Sequence, residues 1–182
     1  MKIIFLDIDG VICLSREWGS RKRKLKRWEL EGGEGEPPIT IRLDDFNKIA
    51  VDVLNDIILT TGADIVISSD WRLYATLDEM KDLFHQFGVI KGPIDFTPEL
   101  QTTTVSFFDF SKHCDIRVEE IKSWLKSHPK VEKWVAIDDM DLGEKIGSIS
   151  GNSNGGLTNF VKTREREGLK QCNISKKILR YL

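Results

Sequence analysis

Three short unbroken apolar runs punctuate the chain, and each stops abruptly at polar residues. Lys2 to Leu6 (KIIFL) runs into Asp7-Ile8-Asp9-Gly10, Ala63 to Ile67 into Ser68-Ser69-Asp70, and Lys133 to Ile137 into Asp138-Asp139. Runs of this length without alternation predict strands buried on both faces, as in a parallel sheet. Between them the period changes. Phe46, Ile49, Ala50, Val53, Leu54, Ile57 and Ile58 recur at helical spacing, with Asp44 or Asp45 expected as the cap and Gly62 as the stop. A second helix is expected from about residue 77 to 87, stopped by Gly88. A third is expected to be capped by Asp115, with Val118, Ile121, Trp124 and Leu125 on one face. Asn159 to Thr163 reads as a last strand and Ser175 to Leu182 as a short helix, while residues 89–112 read as irregular. Strands alternating with helices predict an α/β fold with a mainly parallel sheet.

Residues 14–42 break this rhythm. A basic run, Arg21 to Arg27, is followed by a Glu/Gly/Pro stretch, Glu29 to Pro38, with little that could build a core. The segment is expected to be an excursion from the sheet, partly mobile, forming at most a minimal cap. The basic run, with Trp18 and Trp28 nearby, fits a grip on a nucleic-acid backbone. It equally fits a solvated loop paired with Glu29, Glu31, Glu34 and Glu36.

The chain of 182 residues suits one domain, residues 1–182, and its net charge of -2 selects no class of partner. Cys13, Cys114 and Cys172 are far apart, and His85, His113 and His128 are scattered, so neither set suggests a metal site. No apolar run is long enough to cross a membrane. Two acids stand among the first nine residues, where a signal peptide would be apolar, so a cytoplasmic protein is expected.

In an open parallel sheet, ligands bind beyond the carboxyl ends of the strands. The three polar clusters should therefore converge on one edge. Asp7 and Asp9, two residues apart, start on the same side of an extended segment. Paired carboxylates repel unless a cation or a proton intervenes, and Asp138 from another strand could complete an oxygen-ligand site suited to Mg²⁺. The Ser68 hydroxyl could donate to a phosphoryl oxygen.

FLDIDGV (Phe5 to Val11), IVISSDWR (Ile65 to Arg72) and VAIDDMD (Val135 to Asp141) resemble the first, second and fourth motifs of the haloacid dehalogenase (HAD) superfamily. The Ser-Ser-x-Trp-Arg form, the segment Arg117 to Leu125 and the late FVKTREREGL (Phe160 to Leu169) resemble the HAD domains of RNA-repair proteins, near the polynucleotide phosphatases.

That resemblance implies a Rossmann-like HAD fold with a short insertion after the first strand, and a phosphatase activity. It implies Asp7 as nucleophile and Asp9 as general acid and base. Mg²⁺ would be held by Asp7, the Asp9 backbone carbonyl and Asp138, with Asp139 as a substitute. Ser68 and Ser69 would bind the phosphoryl group. The third motif is normally a lysine; the matching position here is Arg117, with Lys112 as the alternative. Arg72 is expected either to reach a substrate phosphate or to form a surface salt bridge.

A phosphorylated substrate follows, an RNA or DNA end or a nucleotide. The competing expectations are a phosphate- or nucleic-acid-binding module without catalysis and a small-metabolite phosphatase.

Overall fold

A computed structural model describes residues 1–100, 110–143 and 156–182, with side chains in the middle stretch from Lys112 onward. Most of the glycine-rich loop expected at 151–156 lies outside the described residues, as does part of the stretch 89–112.

The described elements are β1 (Lys2–Leu6), α1 (Ser20–Leu30), α2 (Ile39–Arg42), α3 (Lys48–Thr61), β2 (Asp64–Ile67), α4 (Leu77–Gln86), β3 (Asp95–Phe96), α5 (Phe110–Ser127), β4 (Lys133–Asp138), β5 (Phe160–Lys162) and α6 (Ile174–Ile178). Short 3-10 turns cover Asp70–Leu73 and Gly168–Lys170. The sheet order is β3-β2-β1-β4-β5, and every pairing is parallel. This is the expected α/β, Rossmann-like arrangement.

Both faces of the sheet are covered, which explains why its central strands read as unbroken apolar runs. Ile4, Leu6, Ile65, Ile67, Val135 and Ile137 face a core shared with α3, α4 and α6. The alternate residues Ile3, Phe5, Val66 and Ala136 face Val118, Ile121 and Trp124 of α5. Fully buried Phe5 meets Trp124 and Trp134 edge-on, with ring centroids 5.3 and 5.8 Å away.

Several expectations are corrected. Asn47, not Asp44 or Asp45, caps α3, its side chain accepting from Ala50 N. Asp44 is already committed, its Oδ1 accepting Arg21 N at 2.7 Å and Ser20 Oγ at 3.2 Å. Asp115 does not cap α5, which begins at Phe110. No glycine or proline lies between residues 110 and 117 to stop the earlier turn, and packing overrides the mild aversion of Asp to a helix interior.

The stretch read as irregular contains β3, two residues long and too short to leave a periodic signal. The tail helix ends at Ile178, short of the expected residue 182. Residues 14–42 hold two helices, and Leu14 and Ile39 join the core.

Candidate active site at the carboxyl edge of the sheet

The ladder register brings the three polar clusters into one row. Leu6 pairs with Ile67 on one side and Ile137 on the other. The next residues are Asp7, Ser68 and Asp138. The ladder extends through them, with Ser68 N donating to Leu6 O at 2.9 Å and Asp7 N to Ile137 O at 3.0 Å. All three share the pleat of Phe5, Val66 and Ala136, so they lie on the α5 side.

Arg117 of α5 meets this row. Its Nη1 donates to Asp7 Oδ1 at 2.9 Å, to Ser68 O at 2.6 Å and to Asp138 Oδ2 at 3.2 Å. Its Nη2 donates to Asp70 Oδ1 at 2.9 Å. Arg117 is only 7% exposed, which excludes a solvated helix residue. Lys112, with an exposed side chain, lies five residues earlier, about 140° round the helix axis. Of the two, Arg117 is the one brought against Asp7 and Asp138.

Carboxylate oxygens of Asp7, Asp138 and Asp139 all lie within 4.8 Å of one another. Burial raises the Asp7 pKa well above its ordinary value, and the Asp138 charge adds to this. Arg117 and the Ser69 side chain work the other way. Burial pushes Asp138 up to about 6 against the pull of Arg117. Asp139 is raised by burial and then by Asp9. Burial also opposes the charge on Arg117, but Asp7, Asp138 and Asp70 outweigh it and keep the guanidinium protonated.

Three carboxylates against one guanidinium leave two formal negative charges when all are ionised. An all-oxygen site of that charge fits a hard divalent cation.

Asp9 lies apart from this group. The chain turns after Ile8, with Val11 N donating to Ile8 O and Gly10 at φ +67°. The extended geometry assumed for Asp7 and Asp9 therefore stops short of Asp9. Its Oδ2 accepts Trp71 Nε1 at 2.8 Å. Burial raises the Asp9 pKa, and the Trp71 bond partly offsets it. A Cβ at Gly10 would collide with the Asp139 carboxylate, so glycine is required twice over. Thr163, just after β5, ties this turn down by donating Oγ1 to Gly10 O at 2.9 Å.

Ser68 and Ser69 are both buried. The Ser68 hydroxyl has no hydrogen-bond partner among the described residues. Arg72 forms neither a surface salt bridge nor an open cation site. Its Nη2 donates to both oxygens of Glu120 at 2.8 Å, and the two side chains are 8% and 3% exposed. This pair and Arg117 wall a cavity of about 240 Å³ that Asp70 and Met140 also line.

Glu120, Trp71 and Gly10 are site residues the sequence reading passed over. The Arg117-x-x-Glu120 spacing, one helical turn, was the available signal for Glu120. Trp71 lies in the quoted Ser-Ser-x-Trp-Arg form but gave no hint of its partner.

A parallel α/β sheet whose edge carries Asp-x-Asp-Gly on the first strand, a serine on its neighbour and an acidic pair on the other defines a HAD-type domain. The chain belongs to the family described as the HAD domain in Swiss Army Knife RNA repair proteins, whose family model matches residues 3–174. The comparisons with curated proteins and with solved structures found no match. Among the described residues, no helix is long and apolar enough to cross a membrane.

Proposed function

We propose that the protein is a Mg²⁺-dependent phosphomonoesterase that works through an aspartyl-phosphate and acts on a nucleic-acid end or a nucleotide. One observation carries this reading: a largely buried carboxylate cluster with surplus negative charge stands beside a buried serine hydroxyl with no hydrogen-bond partner among the described residues. The first deficit suits a hard cation and the second a phosphoryl oxygen. Family membership, which suggests a HAD-type phosphatase, supports the same chemistry.

Asp7 attacks phosphorus and the P–O bond to the leaving group breaks. Asp9 gives its proton to the departing oxygen. Asp9 then takes a proton from water, whose oxygen attacks the aspartyl-phosphate, freeing phosphate and restoring Asp7. The raised pKa of Asp9 suits a group that must hold a proton before the first step. Ser68 donates its hydroxyl to the phosphoryl group, with Ser69 beside it. Arg117 holds Asp7 in place and balances part of its charge. Mg²⁺ held by Asp7, the Asp9 carbonyl and Asp138, with Asp139 alongside, would offset the charge of the phosphoryl group so that an anionic nucleophile can approach.

The test is phosphate release from an aryl phosphate, nucleotides, 3′- and 5′-phosphorylated oligonucleotides and sugar phosphates, with and without Mg²⁺. Turnover that needs Mg²⁺ and disappears in Asp7→Asn is expected. No turnover by the wild type with Mg²⁺, or equal turnover by Asp7→Asn, refutes the proposal. Preference for a free sugar phosphate would move the substrate to small metabolites.

A further inference from the structure

Helix α1 is electrostatically unfavourable by its own composition. It carries Arg21, Lys22, Arg23, Lys24, Lys26 and Arg27 within eleven residues, with no acid in its first turn. Cations at a helix N-terminus face the positive end of the macrodipole. Lys22 with Lys26, and Arg23 with both Lys26 and Arg27, are like charges at spacings that face each other and destabilise a helix.

Of the two readings of the basic run, pairing with the glutamates of the following stretch is not seen among the described residues. Glu36 pairs with Arg42 instead, at 2.7 Å. Lys24 is the exception on α1, with Nζ 2.6 Å from Asp45 Oδ1. Among the described residues, no carboxylate lies within ion-pair distance of Arg21, Lys22, Arg23, Lys26 or Arg27, and all five are exposed.

Burial does not explain the helix either, because Ser20 is its only buried residue. The first turn is nevertheless clamped to the body. Ser20 Oγ donates to Asp44 and accepts from Asp45 N at 2.8 Å, and Asp44 also takes Arg21 N. That clamp fixes the start of α1 beside the Asp9 turn: Asn47 N, three residues after Asp44, donates to Ile12 O at 2.7 Å in the turn that follows Asp9, and Arg21 lies near enough to act on the Asp9 charge. The helix has no continuous apolar face to lay on a lipid surface, since its exposed leucines, Leu25 and Leu30, lie about 140° apart round the axis and Trp28 packs against Gly33. Trp18, 42% exposed just before the helix, offers a ring face for a base.

We infer that α1 is the docking surface for the sugar-phosphate backbone of a single-stranded nucleic acid whose phosphorylated end lies at Asp7. The inference deepens the phosphatase reading above and rests on it. Eleven helical residues span about 16 Å, so α1 can engage several backbone phosphates beyond the terminal one.

The test uses the full chain with Lys22, Arg23, Lys26 and Arg27 all changed to Gln, keeping Arg21 because of its proximity to Asp9. All four side chains are exposed and the change removes their mutual repulsion, so a melting temperature equal to or slightly above that of the wild type is expected and serves as the folding control. KM for a phosphorylated ten-nucleotide strand should rise at least tenfold, with kcat and the KM for an aryl phosphate unchanged. For binding to single strands, the slope of log affinity against log salt should weaken by about 3, from roughly 0.7 per lost contact.

An oligonucleotide KM within twofold of wild type, or a parallel rise in the aryl phosphate KM, overturns the inference while leaving the phosphatase reading intact. If the wild type hydrolyses nothing, that reading fails, and anisotropy with a fluorescent oligonucleotide decides the helix separately. Loss of binding in the quadruple variant supports it; unchanged binding overturns it. Wild-type binding to phosphatidylserine vesicles with none to oligonucleotide also overturns it.

Discussion

Among the described residues, Arg117 is the cation that bonds both Asp7 and Asp138, so its replacement separates charge from shape. Arg117→Met keeps much of the volume and removes all five N–H donors. Asp7 and Asp138, at 2.9 and 3.2 Å from Nη1, then lose their buried counter-charge. Breaking a buried pair from one side costs about 3–5 kcal/mol. A domain of this size loses roughly 2–4 °C of Tm per kcal/mol. Arg117→Met should therefore melt about 6–20 °C lower in EDTA.

Arg117→Lys retains one ammonium whose three donors can serve Asp7 Oδ1, the Ser68 carbonyl and Asp138 Oδ2. It gives up the bond to Asp70, whose side chain is 71% exposed. A bond that exposed is worth about 1 kcal/mol or less. The expected loss is thus a few degrees at most. In turnover, Arg117→Lys should stay within about tenfold of wild type. Arg117→Met should lose on the order of 10²–10³, as for removal of one preorganised donor. Thermal and urea unfolding in EDTA, followed by aryl phosphate kinetics with Mg²⁺, measure both. Equal stability of Arg117→Met and wild type would refute the charge argument. Equal damage from Lys and Met would show that the planar fork, not the charge, is what matters.

Three other outcomes follow from the same geometry. Asp138 titrates near 6 in the fold and Asp7 is also raised, whereas both have values near 3.9 when unfolded. A raised acid favours the folded state below the unfolded value and loses that advantage as pH climbs through the folded one. Mg²⁺ binds the ionised form, so its stabilising effect should be larger at pH 7.5 than at pH 5, and equal Tm shifts would contradict the assignment. Trp71→Phe keeps the ring against Phe46, 5.8 Å between centroids, but removes the donor to Asp9. Alkyl phosphates, which need a proton on the leaving oxygen, should slow about tenfold or more, within the range for general acid catalysis, while activated aryl phosphates barely change; a uniform fall argues for mere packing. Gly10→Ala must accept φ +67° and a clash with Asp139, so a loss of about 2 kcal/mol or more is expected in urea unfolding. Wild-type stability in that variant would refute the close approach.

How much of this was legible in the sequence depends on the range of the forces involved. The strands β1, β2 and β4 were readable because burial on both faces forces continuous apolar runs, and their polar ends marked the site edge. The shared row of Asp7, Ser68 and Asp138 was inferred only as convergence, because register is set by pairing between strands. Capping failed where three candidates, Asp44, Asp45 and Asn47, stood within four residues. Asp44 and Asn47 have equal local propensity, and a partner 24 residues away, Ser20, decides between them. Likewise Trp71 meets Asp9 across 62 positions and Arg72 meets Glu120 across 48. No local pattern encodes such contacts. Cap residues, long-range polar partners and a two-residue strand are what the sequence alone left undetermined.

The arginine beside Asp7 and Asp138 follows from where α5 crosses the sheet. Arg117, Ile121 and Trp124 lie on one helical stripe, and Trp124 and Ile121 pack on the strand interior through Phe5 and its neighbours. One turn further toward the helix start, the same stripe passes beyond the last apolar row and meets Asp7 and Asp138. An apolar residue there would leave two buried carboxylates facing hydrocarbon. A cation is therefore required by position, whatever the chemistry. Arginine adds a second nitrogen to the point charge a lysine would supply, and that nitrogen holds Asp70 in the turn after β2. The carboxyl ends of β1, β2 and β4 are thus joined through one side chain. The guanidinium therefore links the serine turn to the acidic pair while leaving the carboxylates their surplus charge.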